Sequence, residues 1–401
     1  MDPSEMLDEM ASPVLVAAAG LGGIIFIASV VGIYFDARRR VAKGEALVWA
    51  LGNLMAQPLG LPLYLWRAYR HPDRIPTPGT VMPWVRAATF ATASTWAMTL
   101  ALIPMAAILF AVTQVDGAWG SSLCVLMGIQ GVTFAPLMIA WTYLFRAVVD
   151  RRPATSLGTP LSAGLAFGAN LLGLLAGVAL VAAAAGAMWA LGAVEPRSAD
   201  LHAGLLSVLA LCVPLYLSAF FEEIVLRGYV QRNLYLAWGH TPAVAGSALC
   251  FGLMHAMNPG IGWTAVANIV LVGVLLSLTV IRTNNLWVAT GLHFGWNLTM
   301  GPVLGLPVSG VSLDSVFRLQ PTGSAGWLAG GEFGPEASPL VAAVLLVGIA
   351  IACVAVSRGS RWHEPPDVEA ERPIAAPSPE PTGVGDVAGY ANRLTSLPPE
   401  E

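Results

Sequence analysis

Apolar stretches of roughly twenty residues bounded by arginines recur along the chain, at residues 13–35, 88–112, 122–145, 161–191, 203–221, 264–281, 286–304 and 339–356. A helix of about that length crosses the ~30 Å of hydrocarbon in a bilayer. Within that layer no water meets the backbone N–H and C=O groups, so a spanning segment is either a helix or part of a closed barrel. These stretches are long and continuously apolar, with no strict alternation, which selects helix. At 56% hydrophobic and 11% charged residues the chain is too apolar for a soluble core with a solvated surface. The expectation is an all-α fold, a polytopic membrane helical bundle of about 8–10 transmembrane helices. Two segments are less regular. Residues 46–66 carry Pro58 and Pro62 between basic flanks and read as a re-entrant hairpin, and residues 242–257 are short for a full crossing.

The borders organise the chain. Residues 1–160 read as an N-terminal membrane region with three spans and the re-entrant segment, and residues 161–357 as a second membrane bundle. Residues 358–401, with eight prolines and little apolar clustering, read as a disordered cytoplasmic tail. Lys43 is the only lysine, so orientation rests on arginine. Arg38 to Arg40, Arg146, Arg151, Arg152, Arg227, Arg232, Arg282, Arg358 and Arg361 all read as cytoplasmic flanks. The loop after residue 304 is long for a compact domain and reads as a cap over the opposite face. The acidic first twelve residues and the long apolar run from Pro13 read as a retained span, not a cleavable signal peptide. A net charge of −4 with no basic, aromatic-interleaved run excludes nucleic acid as a partner. Cys124, Cys212, Cys250 and Cys353 lie within apolar segments, without the spacing of a disulfide framework or a zinc knuckle.

Against this background Glu222 and Glu223 stand out. An acid at a helix centre opposes insertion by roughly 2.5–3.5 kcal/mol, so two oppose it by about 5–7. The ten Leu, Val and Phe residues between 203 and 221 return roughly 3–6 kcal/mol. Such a helix breaks about even unless the carboxylates lie near its end, pair with something, or face a wet cavity. Arg227, four residues on from Glu223, is the natural partner, and that pair alone reads as structural. A second acid beside a satisfied one has no structural reason, and it points to function.

Two further pairs share the same spacing, Phe251 with His255 and His293 with Asn297. On three neighbouring helices they would bring Glu222, His255, His293 and Asn297 around one buried pocket. Gly291 and Gly295 flank His293 and permit close helix approach. EExxxR at 222–227, FxxxH at 251–255 and HxxxN at 293–297, in this order and each in an apolar helix, resemble the CAAX protease and bacteriocin-processing family of intramembrane endopeptidases. The resemblance covers roughly residues 205–300, and the stretch GGEFGPE at 330–336 is similar to family sequence as well. It implies that residues 161–357 are the catalytic bundle. Glu222, assisted by His255, would activate a water to attack a peptide carbonyl, while His293 and Asn297 stabilise the oxyanion and Glu223 with Arg227 supports the helix end. The family is commonly called a metalloprotease, which implies a divalent metal such as Zn²⁺. Glu222, His255 and His293 are the ligand types of a catalytic zinc site, but the HExxH spacing is absent, so ligand and general base are not separated by the sequence.

Each histidine taken singly also fits a hydrogen-bonded core residue, and Asn297 a bond between helices. Three functions compete. One is an endopeptidase acting on membrane-proximal or lipid-modified peptides; another is a proton-coupled transporter using Glu222 and the histidines as a relay; the third is a non-catalytic scaffold or immunity protein. Inverted repeats and paired broken helices, usual in transporters, are not visible. The expected partners are membrane lipid and a peptide or lipidated protein substrate. The Ala-, Gly- and Arg-biased composition points to a bacterial plasma membrane.

Overall fold

A computed structural model of the chain describes residues 13–38, 43–55, 83–113, 128–148, 150, 152–159 and 162–358. Six of the described helices are long and apolar enough to cross a membrane. The all-α reading holds. Helix α1 is Pro13–Arg38, α2 Lys43–Met55 and α3 Pro83–Thr113; α4, Ala135–Val148, follows a π-helical turn, Gln130–Phe134. Then come α5, Ala163–Ala190, and α6, Leu201–Glu223. The rest of the re-entrant reading, residues 56–66, lies outside the described residues, as do the loop at Asp116, Cys124 and the C-terminal tail.

Helix α6 begins on Asp200, whose side chain accepts from the backbone N–H of His202 and Ala203. Such a cap meets donors that a helix start leaves without partners. The helix does not end at the carboxylates. It continues through a π-helical stretch, Ile224–Val230, into α7, Gln231–Trp238. Residues 233–241, which by their polar composition read as a connection, are thus helical as far as Trp238. Asn233 and Arg232 are buried, and the break comes only at Gly239, which has φ +83°. Helix α8 is His240–Met254, α9 is Trp263–Thr283 and α10 is Trp287–Leu298, the last extended by a π-helical turn, Thr299–Val303. Helix α11, Pro339–Arg358, packs against α9.

Several arginines that the sequence suggests as cytoplasmic flanks are instead interior. Arg146 and Arg227 are buried, as is Arg86. Arg146 pairs with Asp150 at 2.8 Å and donates to Ser156, and Asp150 also accepts from Tyr229 at 3.0 Å. A guanidinium satisfied by the protein carries little information about headgroups. The same 150–158 segment accepts the N–H of Leu286 on the Gly158 carbonyl, so it holds the π stretch and the start of α10 together.

The loop beyond α10 is folded. Its N–H groups at Val316, Phe317 and Leu319 donate to the carbonyls of Pro302, Val303 and Leu304. Strand β2, Arg318–Pro321, pairs antiparallel with β1, Val194–Arg197, a two-stranded ribbon the helical reading missed because each strand is only four residues long. Buried Glu336 accepts from Trp296 of α10 at 3.3 Å and from the backbone and hydroxyl of Ser309.

The closest helix pair is α5 with α10, which carry four glycines at the crossing. A Cβ at Gly173 or Gly177 would run into the carbonyl of Val288 or Leu292, and one at Gly291 or Gly295 into that of Asn170 or Leu174. These partners advance together along the two helices, so the pair is parallel. Backbones in this contact leave no room for a methyl group, as expected for small-residue packing in lipid. Overpacking here is worth about 1–3 kcal/mol of destabilisation. Gly291→Val is therefore expected to lower the melting temperature of the detergent-purified protein, whereas Gly168→Val, whose Cβ would meet nothing within 4 Å, leaves it unchanged.

Candidate active site

Adjacent residues on a helix point about 100° apart. Glu222 and Glu223 therefore cannot share an environment. Glu223 faces inward and has no solvent contact. Its Oε1 lies 2.9 Å from Nη1 of Arg227, also fully buried, and accepts from Nδ1 of His293 on α10 at 3.1 Å. Arg227 donates its other terminal nitrogen to the Gly273 carbonyl of α9 at 3.1 Å, and its guanidinium lies over the ring of Phe251, 4.6 Å from the centroid. One ion pair thus joins α6, α8, α9 and α10. Glu223 is more than the helix-end partner of Arg227, since it also fixes a ring that the sequence assigned to the oxyanion.

Glu222 is only partly buried, with 17% of its side chain exposed. Its Oε2 sits 3.9 Å from Nε2 of His293, too far for a hydrogen bond. Among the described residues that oxygen has no hydrogen-bond partner and is itself buried. The structure therefore divides the two acids as their spacing suggested. Glu223 is enclosed and paired through Oε1, its Oε2 having no partner, whereas Glu222 is partly exposed and makes only a 3.9 Å approach to His293.

The imidazoles are held by their Nδ1 atoms. His255 caps the end of α8, and its Nδ1 lies 2.8 Å from the Phe251 carbonyl oxygen, which only accepts. That bond places the proton on Nδ1 and leaves Nε2 for chemistry. His293 has the same arrangement when its Nδ1 donates to Glu223. The Phe251 ring stands edge-on to both imidazoles, with centroids 4.8 Å from His255 and 5.6 Å from His293. His255 thus joins the group through Phe251 and makes no direct hydrogen bond to Glu222. Asn297 lies one turn beyond His293 on α10, half-buried, with no hydrogen bond to Glu222, Glu223, His255 or His293.

Among the described residues no group of three or more His, Cys, Asp or Glu side chains is arranged to hold a metal ion. Glu222, His255 and His293 do not form such a group.

The π-helical stretch begins directly after Glu223. Insertions of this kind concentrate at functional sites because they re-aim the side chains around them. Its own residues are all buried, and Tyr229 within it meets Asp150. Sequence reasoning missed this anchoring network. The signal lies in the four-residue spacing of Arg146 and Asp150, which at a segment border reads as a flank. Glu336, in the stretch GGEFGPE, is a buried acid that its polar, glycine-rich surroundings do not reveal.

Residues 204–299 match the family model described as Type II CAAX prenyl endopeptidase Rce1-like. This segment, under half of the chain, is similar to that family. The match spans every site residue from Glu222 to Asn297, and the family is one of endopeptidases, so peptide-bond hydrolysis is the chemistry it implies. No curated protein and no solved structure matches the chain.

Breaking a buried ion pair by removing one partner strands the other charge and typically costs about 3–5 kcal/mol. Here Glu223→Ala leaves Arg227 uncompensated, while Glu222→Ala removes an oxygen that has no hydrogen-bond partner. Thermal melting in detergent is expected to show a large drop for Glu223→Ala and none, or a rise, for Glu222→Ala.

Proposed function

We propose that the protein is an intramembrane endopeptidase in which Glu222 is the general base, acting on membrane-proximal or lipid-modified peptides. The observation that carries this reading is the free, buried Oε2 of Glu222, 3.9 Å from Nε2 of His293, beside an acid whose charge is already met. A single oxygen about 2.8 Å from both atoms fits that gap with its two contacts near a right angle. That is a place for a nucleophilic water.

In the first step Glu222 takes a proton from this water as its oxygen bonds to the substrate carbonyl carbon, and the carbonyl π pair moves to oxygen. His255 assists by offering Nε2 to the water. The oxyanion is met by the Asn297 amide and by Nε2–H of His293 when that ring is protonated; donors of this kind are worth roughly 2.7–4 kcal/mol each in a water-excluded site. The C–N bond then breaks as Glu222 delivers its proton to the leaving amine. Glu223 holds the His293 ring in one orientation, the role of the third group behind many catalytic bases. Glu336, through Trp296, steadies the same helix from the loop side.

The setting and the family's description as a CAAX prenyl endopeptidase support this substrate class. A peptide carrying a lipid would be delivered to a base that lies inside the bundle.

The test uses purified protein in liposomes with a fluorogenic lipidated peptide. Glu222→Gln is expected to reduce cleavage by at least a factor of about 10²–10⁴, the usual contribution of a positioned base. Cleavage at the wild-type rate would overturn the mechanism. With Glu222 as the base and the imidazoles as hydrogen-bond donors, treatment with a strong zinc chelator is expected to leave turnover unchanged. Stoichiometric zinc in the wild type that is lost in His255→Ala would instead make the imidazoles ligands.

A further inference from the structure

A groove of about 430 Å³ lies between α8, α9 and α11, distinct from the site above. Its walls are Val244 of α8, Val274, Leu278 and Ile281 of α9, and Val356 of α11. Helix α9 is one of the candidate spans, so these walls stand at hydrocarbon depth. From Val274 to Arg282 the groove follows α9 for about 12 Å, at 1.5 Å per residue, close to the depth of one leaflet's hydrocarbon.

The mouth is polar and basic. Arg282 and His240 line it, both exposed, and no lining residue is acidic. Among the described residues Arg282 makes no ion pair, unlike Arg146 and Arg227, whose charges are met inside the protein. The mouth also coincides with helix ends. Helix α9 stops at Thr283, with Asn284 in the left-handed region, and α8 starts at His240. Two residues before α8, Trp238 is 56% exposed and stacks on Trp84 with ring centroids 6.5 Å apart. Tryptophans gather at the headgroup level, so they place the mouth at the membrane boundary.

We propose that this groove binds an anionic glycerophospholipid, one acyl chain lying along α9 and the phosphate on Arg282. Charge complementarity selects this occupant. An unpaired arginine with no carboxylate beside it favours a head with net negative charge over a zwitterion whose cation it would repel. An apolar channel without the basic mouth would take any lipid. The site is independent of the catalytic reading, since none of its residues touches Glu222, His255 or His293 through a hydrogen bond or ion pair.

The test is native mass spectrometry of the full-length protein in detergent doped with equal amounts of phosphatidylglycerol and phosphatidylcholine. The wild type is expected to retain one phosphatidylglycerol in preference to phosphatidylcholine. Arg282→Gln should lower that preference about fivefold, the usual effect of one basic residue at an anionic surface. Leu278→Trp, which fills the groove, should abolish retention of both lipids. Equal retention of the two lipids by the wild type, or unchanged retention in Leu278→Trp, would overturn the proposal. So would displacement of the lipid by a second copy of the chain, seen as a dimer that Leu278→Trp dissolves. Melting curves of both variants confirm that they fold.

Discussion

An ion pair with no solvent on either partner, Glu223 with Arg227, is the constraint around which the rest of the structure closes. Two charges withdrawn from water need further hydrogen bonds, because their mutual attraction alone does not offset desolvation. Here most positions are met, while Oε2 of Glu223 and Nε of Arg227 have no hydrogen-bond partner among the described residues. The fold supplies a carbonyl from α9, an imidazole from α10 and an aromatic face from α8. Those three helices are thereby fixed in depth and rotation relative to α6. The tight α5–α10 crossing, where glycines let backbones touch, then sets where α10 lies.

The free acid depends on the enclosed one. Glu222 is adjacent to a carboxylate whose charge is met, so it does not compete for Arg227. It keeps an oxygen without a hydrogen-bond partner on a side chain that is partly exposed. His293 links the two, with one ring nitrogen on Glu223 and the other turned toward Glu222. Rigidity on one side and an open coordination position on the other is what a general base needs.

Much of this was legible in the sequence. Segment length and hydropathy reveal the helices because lipid leaves the backbone few alternatives. The four-residue spacings of Glu223 with Arg227 and of Phe251 with His255 reveal contacts because helix geometry dictates them. Contacts over long separations were not legible. The bond from His293 to Glu223 crosses 70 residues and that from Tyr229 to Asp150 crosses 79, and no local pattern encodes them. The π-helical stretch was hidden for another reason. Its sequence, IVLRGYV, is as apolar as a regular turn, and the extra residue per turn is imposed by packing. The arginines misled because position at a segment border does not show whether a guanidinium is paired inside.

The separations of these contacts also bear on how the protein is made. During synthesis α6 meets the bilayer before α9 and α10 have been translated, and the Gly273 carbonyl and His293 arrive 46 and 66 residues after Arg227. Of the partners that Glu223 has among the described residues, only the arginine four residues away on its own helix has been made by then. A local pair lets the helix enter the membrane with its two charges masked, and the later helices find it already oriented. The order of translation thus explains why the counter-ion is encoded on the same helix as the acid.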